Sequence, residues 1–177
     1  AWSNRNLRSM APKVGSGCIV AHVRAASVGS VSETNCHPFH YKDRLLMHNG
    51  GVEDFSRIKR DLGNLLSEEL FLWIKGQTDS EHLFALFLDY LRKAGAKPTP
   101  DQVADAFEAM IADLKKLMQQ HAITAPAYLN MVYTDGHIAV GLRYVTDRSA
   151  PLTMYFSEGK KYICTDNVCR MVRGTGK

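Results

Sequence analysis

The chain has 177 residues, of which 45% are hydrophobic and 23% are charged, a balance typical of a soluble globular domain. Its formal net charge is only +4, and its Lys and Arg residues are interspersed with acidic residues, which argues against nucleic-acid binding. The sequence contains neither an apolar run of about 18 residues nor a signal-peptide pattern, so it predicts no membrane contact and a cytoplasmic location.

The first part of the chain is predicted to contain two short strands that end at polar clusters. Residues Cys18 to Val23 form an almost continuous apolar run, which is typical of a strand buried on both faces. A loop rich in Ser, Gly, Asn and Pro follows, and Arg44 to Met47 form a second strand that stops at His48-Asn49-Gly50. Both polar clusters therefore lie at strand exits.

Four helices are predicted in the middle of the chain. The first begins near Glu53 and stops at Gly63-Asn64, and a short second helix runs from about Ser67 to Lys75. Thr78 to Ala94 form the third, which begins with a capping box made by Thr78 and Glu81.

The fourth helix begins at Thr99-Pro100-Asp101-Gln102, which combines an N-cap, Pro at the first helical position and Gln at the third. Its apolar face continues to Leu117 and predicts roughly five turns. Two antiparallel hairpins are predicted after it.

In the first hairpin, Tyr128 to Thr134 and His137 to Val145 flank Asp135-Gly136, a two-residue turn signal of type I′. The second hairpin pairs Leu152 to Phe156 with Lys161 to Cys164. The order of strands, helices and antiparallel strands predicts a layered α+β fold instead of a repeated βαβ unit.

A guanidinium, an amide and a carboxylate are the candidate binding groups. Arg24 closes the first predicted strand and could hold a ligand carboxylate by two bonds, although such an Arg is more often a surface residue or part of a salt bridge. Asn49 and Gly50 could form an oxyanion hole, but Asn-Gly is also a common turn pair. Asp79 could pair with a ligand ammonium group or simply favour the helix dipole. Together these groups would hold a zwitterion that carries a side-chain amide.

Cys36 and His37 raise the alternative of a cysteine hydrolase. Adjacent residues of an extended segment point in opposite directions, so this pair is poorly placed to act as nucleophile and base. Structural roles are expected for both residues, and also for His22 and His48. The four cysteines are too scattered for a disulfide framework and lack zinc-site spacing, which predicts reduced thiols.

Four ordered blocks of this sequence resemble the class-II glutamine amidotransferase domain, a member of the N-terminal nucleophile hydrolases. The blocks are His22-Val23-Arg24-x-Ala26-Ser27, Asn35-Cys36-His37-Pro38-Phe39, His48-Asn49-Gly50-Gly51 and Thr78-Asp79-Ser80-Glu81. The run from Glu33 to Phe39 and the first four residues are most similar to the branch that acts in cytosolic glutathione breakdown. That branch works with a metallopeptidase-like partner.

The resemblance implies a four-layer αββα sandwich, a γ-glutamyl amide or peptide substrate, and no metal or organic cofactor. It also implies a role for six residues of this chain. They are Arg24 at the substrate α-carboxylate, Asp79 at its α-amino group, Asn49 and Gly50 in the oxyanion hole, and Ser27 and His37 along the glutamyl site.

In the family that the chain resembles, the nucleophile is a cysteine at the mature N-terminus, whose own amino group is the base, whereas this sequence begins with Ala1. We therefore expect residues 1–177 to be a single partial domain, incomplete at both ends, of a γ-glutamyl hydrolase. The alternative is a catalytically inactive subunit that binds a γ-glutamyl compound or docks a partner. Hydrolysis through Cys36 is a third hypothesis.

Overall fold

The computed structural model describes residues 5–23, 33–159, 161–165 and 168–172. Helices and strands separate along the chain as the predicted α+β class requires, with an additional short helix near the start. In chain order they are α1 Arg5–Met10, β1 Phe39–Tyr41, β2 Arg44–Gly51, α2 Phe55–Leu65, α3 Glu68–Trp73, α4 Asp79–Leu91, α5 Pro100–Gln120, β3 Tyr128–Thr134, β4 Ala139–Val145, β5 Lys161–Thr165 and β6 Val168–Val172.

The strands form a four-stranded antiparallel sheet, ordered β1-β2-β3-β4, and a separate two-stranded sheet of β5 and β6. Strands β2 and β3 pair from Leu45 opposite Thr134 to Gly51 opposite Tyr128. This long pairing carries β2 through the polar residues that were predicted to follow its end.

Helix α4 is the centre of the core, because it contacts α2, α3, α5 and β2 and is buried on nearly every side. The ring of Phe87 lies 4.4 Å from that of Phe107 on α5 and 5.3 Å from that of Tyr133 on β3, measured between centroids. Leu46, Leu129 and Met131 complete the contact between sheet and helices from one face of the sheet. The start of α4 is therefore fixed by packing along the whole helix.

The caps of the long helices follow the sequence closely. Thr99 and Gln102 form the predicted capping box, with N···O distances of 2.9 and 3.3 Å. Gly63 differs from the prediction, because α2 continues to Leu65. A Cβ atom at Gly63 would lie 3.3 Å from the Phe71 ring, so this glycine permits close packing within the helix instead of ending it.

Two predicted strands are wrong. Residues 18–23 and 152–156 have no regular secondary structure, and Ile19, Val23, Tyr155 and Phe156 are between 72% and 89% exposed. A strand needs a neighbour to accept and donate its backbone hydrogen bonds, and an apolar run alone does not supply one. Strand β5, predicted to pair with residues 152–156, instead pairs with β6.

The first predicted hairpin is confirmed, but its two-residue turn is wrong. The last pair of β3 and β4 is Thr134 opposite Ala139, so four residues connect the strands. Asp135 Oδ1 accepts hydrogen bonds from the N–H groups of His137 and Ile138 at 2.9 and 3.0 Å. This side-chain cap stabilises the longer loop.

Candidate functional site

A pocket of about 590 Å³ lies where β2 ends and α4 begins. Four of the six predicted site residues line it: His37, Asn49, Gly50 and Asp79. The other two, Arg24 and Ser27, lie outside the described residues, although Val23 also lines the pocket. Separate parts of the sequence therefore meet at one cavity.

Asn49 and Gly50 lie within β2, so the alternative that they form a turn is wrong. Asn49 is opposite Asn130 and Gly50 is opposite Leu129 on the neighbouring β3. Both residues are exposed at the pocket although they belong to a paired strand. The sheet thus holds this amide and this glycine at a fixed place on the pocket wall.

The backbone itself requires a glycine at position 50. Gly50 has a φ of 146°, and a Cβ atom there would lie 1.9 Å from the carbonyl oxygen of Tyr128. Such a contact is far inside the van der Waals limit, so any side chain would push β2 and β3 apart. The close approach of the two strands explains this glycine independently of any catalytic role.

Asp79 joins the two halves of the pocket wall. Its Oδ2 accepts a hydrogen bond from the N–H of Val52 at 2.7 Å, and its Oδ1 accepts one from the N–H of Ser80 at 2.7 Å. The Ser80 hydroxyl also lies 3.2 Å from Oδ1. A carboxylate in this first turn would favour the helix dipole anywhere, but the bond to Val52 shows a specific tertiary role as well.

His48 also lines the pocket, although only 3% of its surface is exposed. Its Nδ1 is 2.9 Å from the Ser80 hydroxyl oxygen and its Nε2 is 3.0 Å from the Tyr128 carbonyl oxygen. Burial lowers the pKa of His48, and the nearby Asp79 carboxylate opposes that shift in part. The structural role expected for His48 agrees with these contacts, which the sequence did not predict.

Asn35, Gly76 and Glu81 form a clasp that sequence reasoning missed. The Glu81 carboxylate accepts hydrogen bonds from the N–H groups of Lys75 and Gly76 at 2.9 and 2.7 Å. Asn35 Oδ1 accepts one from Gln77 at 3.1 Å. A Cβ atom at Gly76 would lie within 2.8 Å of both side chains, so only glycine fits between them.

The clasp changes the interpretation of the predicted capping box at α4. Thr78 caps the helix by accepting a bond from the N–H of Glu81 at 3.2 Å, as predicted. The Glu81 side chain turns instead to the preceding loop, so the reciprocal half of the box is wrong. Asn35 and Glu81 belong to two of the sequence blocks that carry the family resemblance. Their place in those blocks is the sequence signal that could have identified them.

Imidazole and aromatic rings form another part of the pocket. The ring centroids of His22 and His37 are 4.4 Å apart, and the His37 ring packs against the edge of Phe39 at 4.7 Å. Cys36 is exposed, and the described pocket lining includes His37 but not this thiol. The geometry therefore gives no support to hydrolysis through Cys36.

Within the described part of the chain, no three His, Cys, Asp or Glu residues are grouped closely enough to hold a metal ion. In the same residues, no helix has both the length and the apolar character needed to cross a bilayer. The described lining of the pocket supplies amide, carboxylate, imidazole, hydroxyl and main-chain groups.

Comparison with known proteins identifies the family of this chain. The sequence profile of class-II glutamine amidotransferases matches residues 5–153. The chain belongs to the class-II glutamine amidotransferase family. The resemblance found in four short blocks therefore extends over most of the sequence.

Individual relatives support the same family. The chain is 40% identical over 178 residues to the probable glutamine amidotransferase DUG3 of Saccharomyces cerevisiae, covering 93% of the chain and 50% of that protein. It is 28% identical over 150 residues to a glutamine–fructose-6-phosphate aminotransferase of Gluconobacter oxydans, covering 84% of the chain and 21% of that protein. The chain thus spans half or less of these relatives.

A solved structure supports the fold. The glutamine aminotransferase class-II domain protein of Silicibacter pomeroyi superimposes with a TM-score of 0.69 and 32% sequence identity. The match covers 85% of this chain and 60% of that one. The predicted α+β fold class is confirmed.

Proposed function

We propose that this chain forms the substrate-holding part of a γ-glutamyl amide or peptide hydrolase. One observation carries the proposal: Asn49, Gly50 and Asp79 line a single pocket although they come from different elements of the fold. An oxyanion-stabilising amide and an ammonium-binding carboxylate then face the same ligand. Membership of the class-II glutamine amidotransferase family supports this assignment.

In this proposal the two charged ends of the glutamyl group are held by opposite charges. Asp79 accepts from the α-ammonium group, and Arg24 donates two parallel bonds to the α-carboxylate. Ser27 and His37 line the glutamyl chain between them. The scissile carbonyl is thereby directed towards Asn49 and Gly50.

The proposed chemistry is acyl transfer. A nucleophile adds to the γ-carbonyl carbon, and negative charge develops on the carbonyl oxygen as the tetrahedral intermediate forms. The intermediate then collapses as the γ-glutamyl C–N bond breaks and the leaving amine takes up the proton that the nucleophile gave up. Water hydrolyses the resulting acyl intermediate to glutamate. The Asn49 side-chain amide and the Gly50 N–H would stabilise that oxyanion, and such donors act strongly because they are already in place. The nucleophile that the resemblance implies is the thiolate of an N-terminal cysteine.

The test is release of glutamate from L-glutamine and from glutathione by the full-length protein and by its Asn49→Ala variant. Loss of one oxyanion-hole donor is expected to lower the turnover number by about 100-fold to 1,000-fold. Asn64→Ala is the matched control, because Asn64 is an exposed residue of α2 away from the pocket. Equal turnover by both variants would contradict the oxyanion role.

Glutamate release from neither compound would contradict the hydrolase itself. In that case, calorimetric binding of L-glutamine without turnover would support the alternative of a catalytically inactive γ-glutamyl-binding subunit. The activity assay and the calorimetry together therefore separate a hydrolase from a catalytically inactive binding subunit.

A further inference from the structure

His48, Ser80 and Asp79 form a continuous series of hydrogen-bonding groups in the wall of the pocket. The His48 ring lies between the Tyr128 carbonyl oxygen, 3.0 Å from Nε2, and the Ser80 hydroxyl, 2.9 Å from Nδ1. The same hydroxyl lies 3.2 Å from Asp79 Oδ1. Ser80 is therefore in reach of two acceptors but has a single hydroxyl proton to donate.

The Tyr128 carbonyl oxygen determines which atoms of His48 and Ser80 donate hydrogen bonds. A carbonyl oxygen only accepts, so His48 Nε2 must carry a hydrogen. A neutral His48 then has its lone pair at Nδ1, and the Ser80 hydroxyl donates to that nitrogen. If His48 gains a second proton, Nδ1 becomes a donor to Ser80, and the hydroxyl turns to Asp79 Oδ1.

The direction in which the Ser80 hydroxyl points changes which hydrogen-bond donor Asp79 Oδ1 can accept. Each carboxylate oxygen has two lone-pair directions, and at Oδ1 the Ser80 N–H occupies one of them at 2.7 Å. When His48 is protonated, the Ser80 hydroxyl takes the second direction. When His48 is neutral, that direction is available to a donor in the pocket, which Asp79 lines.

We propose that Ser80 and His48 are positioning residues that determine which donor Asp79 Oδ1 accepts beside the Ser80 N–H. With neutral His48 the donor is the ammonium group of a γ-glutamyl ligand, and with protonated His48 it is the Ser80 hydroxyl. The ligand half of this inference rests on the proposed function. Burial lowers the pKa of His48, so the ligand-accepting state prevails near neutral pH.

Other groups near the site also titrate and must be separated from His48. His22, His37 and Glu53 line the pocket, and His82 lies on α4 with its Nδ1 2.8 Å from the Thr78 carbonyl oxygen. Charges on these groups and on Asp79 act on the ligand whether or not position 80 carries a hydroxyl. A comparison of wild type with variants at Ser80 therefore isolates the effect that passes from His48 through the Ser80 hydroxyl to Asp79.

The first experiment needs no ligand. Nitrogen-15 chemical shifts of the histidine rings, measured on the wild-type protein near neutral pH, report the tautomer of His48. We expect hydrogen on Nε2 and a lone pair on Nδ1. Hydrogen on Nδ1 in the neutral ring would overturn the inference, whatever the protein binds.

The second experiment measures the affinity for L-glutamine by calorimetry at about pH 7.5 and at a lower pH where the nitrogen-15 shifts show that His48 carries its second proton. Affinity should fall at the lower pH, and the wild-type fall should exceed that of Ser80→Ala by about fivefold, the ratio expected for one competing hydrogen bond. Ser80→Thr should restore the wild-type fall. Ser56→Ala, at an exposed position of α2, should behave as wild type.

Equal pH dependence of wild type and Ser80→Ala would overturn the inference. If L-glutamine binds none of these proteins at either pH, the proposed function fails in its ligand. The tautomer of His48 would still decide whether the hydroxyl of Ser80 points towards His48 or towards Asp79.

Discussion

Asp79 accepts a hydrogen bond from the main-chain N–H of Val52, with 2.7 Å between Oδ2 and the nitrogen. The bond joins the first turn of α4 to the residue that follows β2. A Cβ atom at Gly51 would lie 3.5 Å from Oδ2, an ordinary van der Waals contact, so the bond does not itself require a glycine there. A single carboxylate thus fixes the geometry of the pocket and faces its interior.

Replacement of Asp79 by Asn should separate these two roles. The Asn oxygen can still accept from Val52, but the negative charge is lost. We expect the affinity for L-glutamine to fall by about 2 kcal/mol, as for a hydrogen bond to a charged group. The free energy of unfolding should fall by about 1–3 kcal/mol, because the amide has one acceptor oxygen for the two N–H groups of Val52 and Ser80.

Calorimetry and chemical denaturation measure these two quantities. Asp101→Asn is the matched control, since Asp101 is the first-turn acid of α5 and is exposed. It should lower the free energy of unfolding by less than about 1 kcal/mol, the size of a helix-dipole contribution, and leave ligand affinity unchanged. A similar loss of affinity in both variants would refute the specific role of Asp79.

Gly50→Ala should disrupt the pairing of β2 and β3. The added methyl group would overlap the Tyr128 carbonyl oxygen, so we expect a loss of about 3 kcal/mol or more in the free energy of unfolding. Gly95→Ala is the control, because Gly95 also has a positive φ, of 82°, but open space around it. That change should cost about 1–3 kcal/mol of backbone strain, because φ 82° with ψ −160° is a conformation essentially restricted to glycine. Urea denaturation of both variants measures these losses in the free energy of unfolding. Equal losses in the two variants would contradict the steric explanation.

Glu81→Gln tests the clasp before α4. Two carboxylate oxygens accept from Lys75 and Gly76, whereas the amide of Gln offers one oxygen, so one buried N–H loses its partner. We expect a loss of about 1–3 kcal/mol in the free energy of unfolding. Amide hydrogen exchange should also become faster at residues 75 and 76.

Glu68→Gln is the corresponding control, because Glu68 is an exposed acid in the first turn of α3. It should leave the exchange of residues 75 and 76 as in wild type. Unchanged exchange in Glu81→Gln would show that the clasp does not hold this loop.

Stability should fall as the solution becomes more acidic because of two buried histidines. Burial lowers the pKa of His48 and of His82 in the folded state. The unfolded chain therefore takes up protons first as pH falls below about 6.5, and the free energy of unfolding decreases through that range. His82→Gln, measured by denaturation between about pH 7 and about pH 5, should flatten this dependence.

His40→Gln provides the matched control, because His40 is an exposed residue of β1. It should keep the wild-type slope. A steeper loss of stability in His82→Gln than in wild type would contradict a lowered pKa of His82 in the folded state.

The sequence predicted those elements whose signals are local. Thr99 and Gln102 identify the start of α5 because their reciprocal bonds span only three residues. Strand alternation likewise located β3 and β4. The apolar run at residues 18–23 wrongly predicted a strand, since periodicity does not show whether another strand is present to pair with it.

The sequence predicted pocket residues that belong to short sequence blocks. It did not predict contacts between residues that are far apart in the chain. His37, Asn49, Gly50 and Asp79 share one pocket, as the order of the blocks suggested. The bond from Gln77 to Asn35 spans 42 residues, and the contact of His48 with the Tyr128 carbonyl spans 80. No spacing rule relates residues so far apart, so these contacts appear only in the folded chain.

The carbonyl oxygen of Tyr128 meets both His48 and the open face of Gly50, and it does so through the main chain. Any amino acid at position 128 supplies the same oxygen. These two contacts therefore constrain the main chain at position 128 and not the identity of its side chain. A substitution there can change the lining of the pocket, to which residue 128 belongs, while both contacts remain.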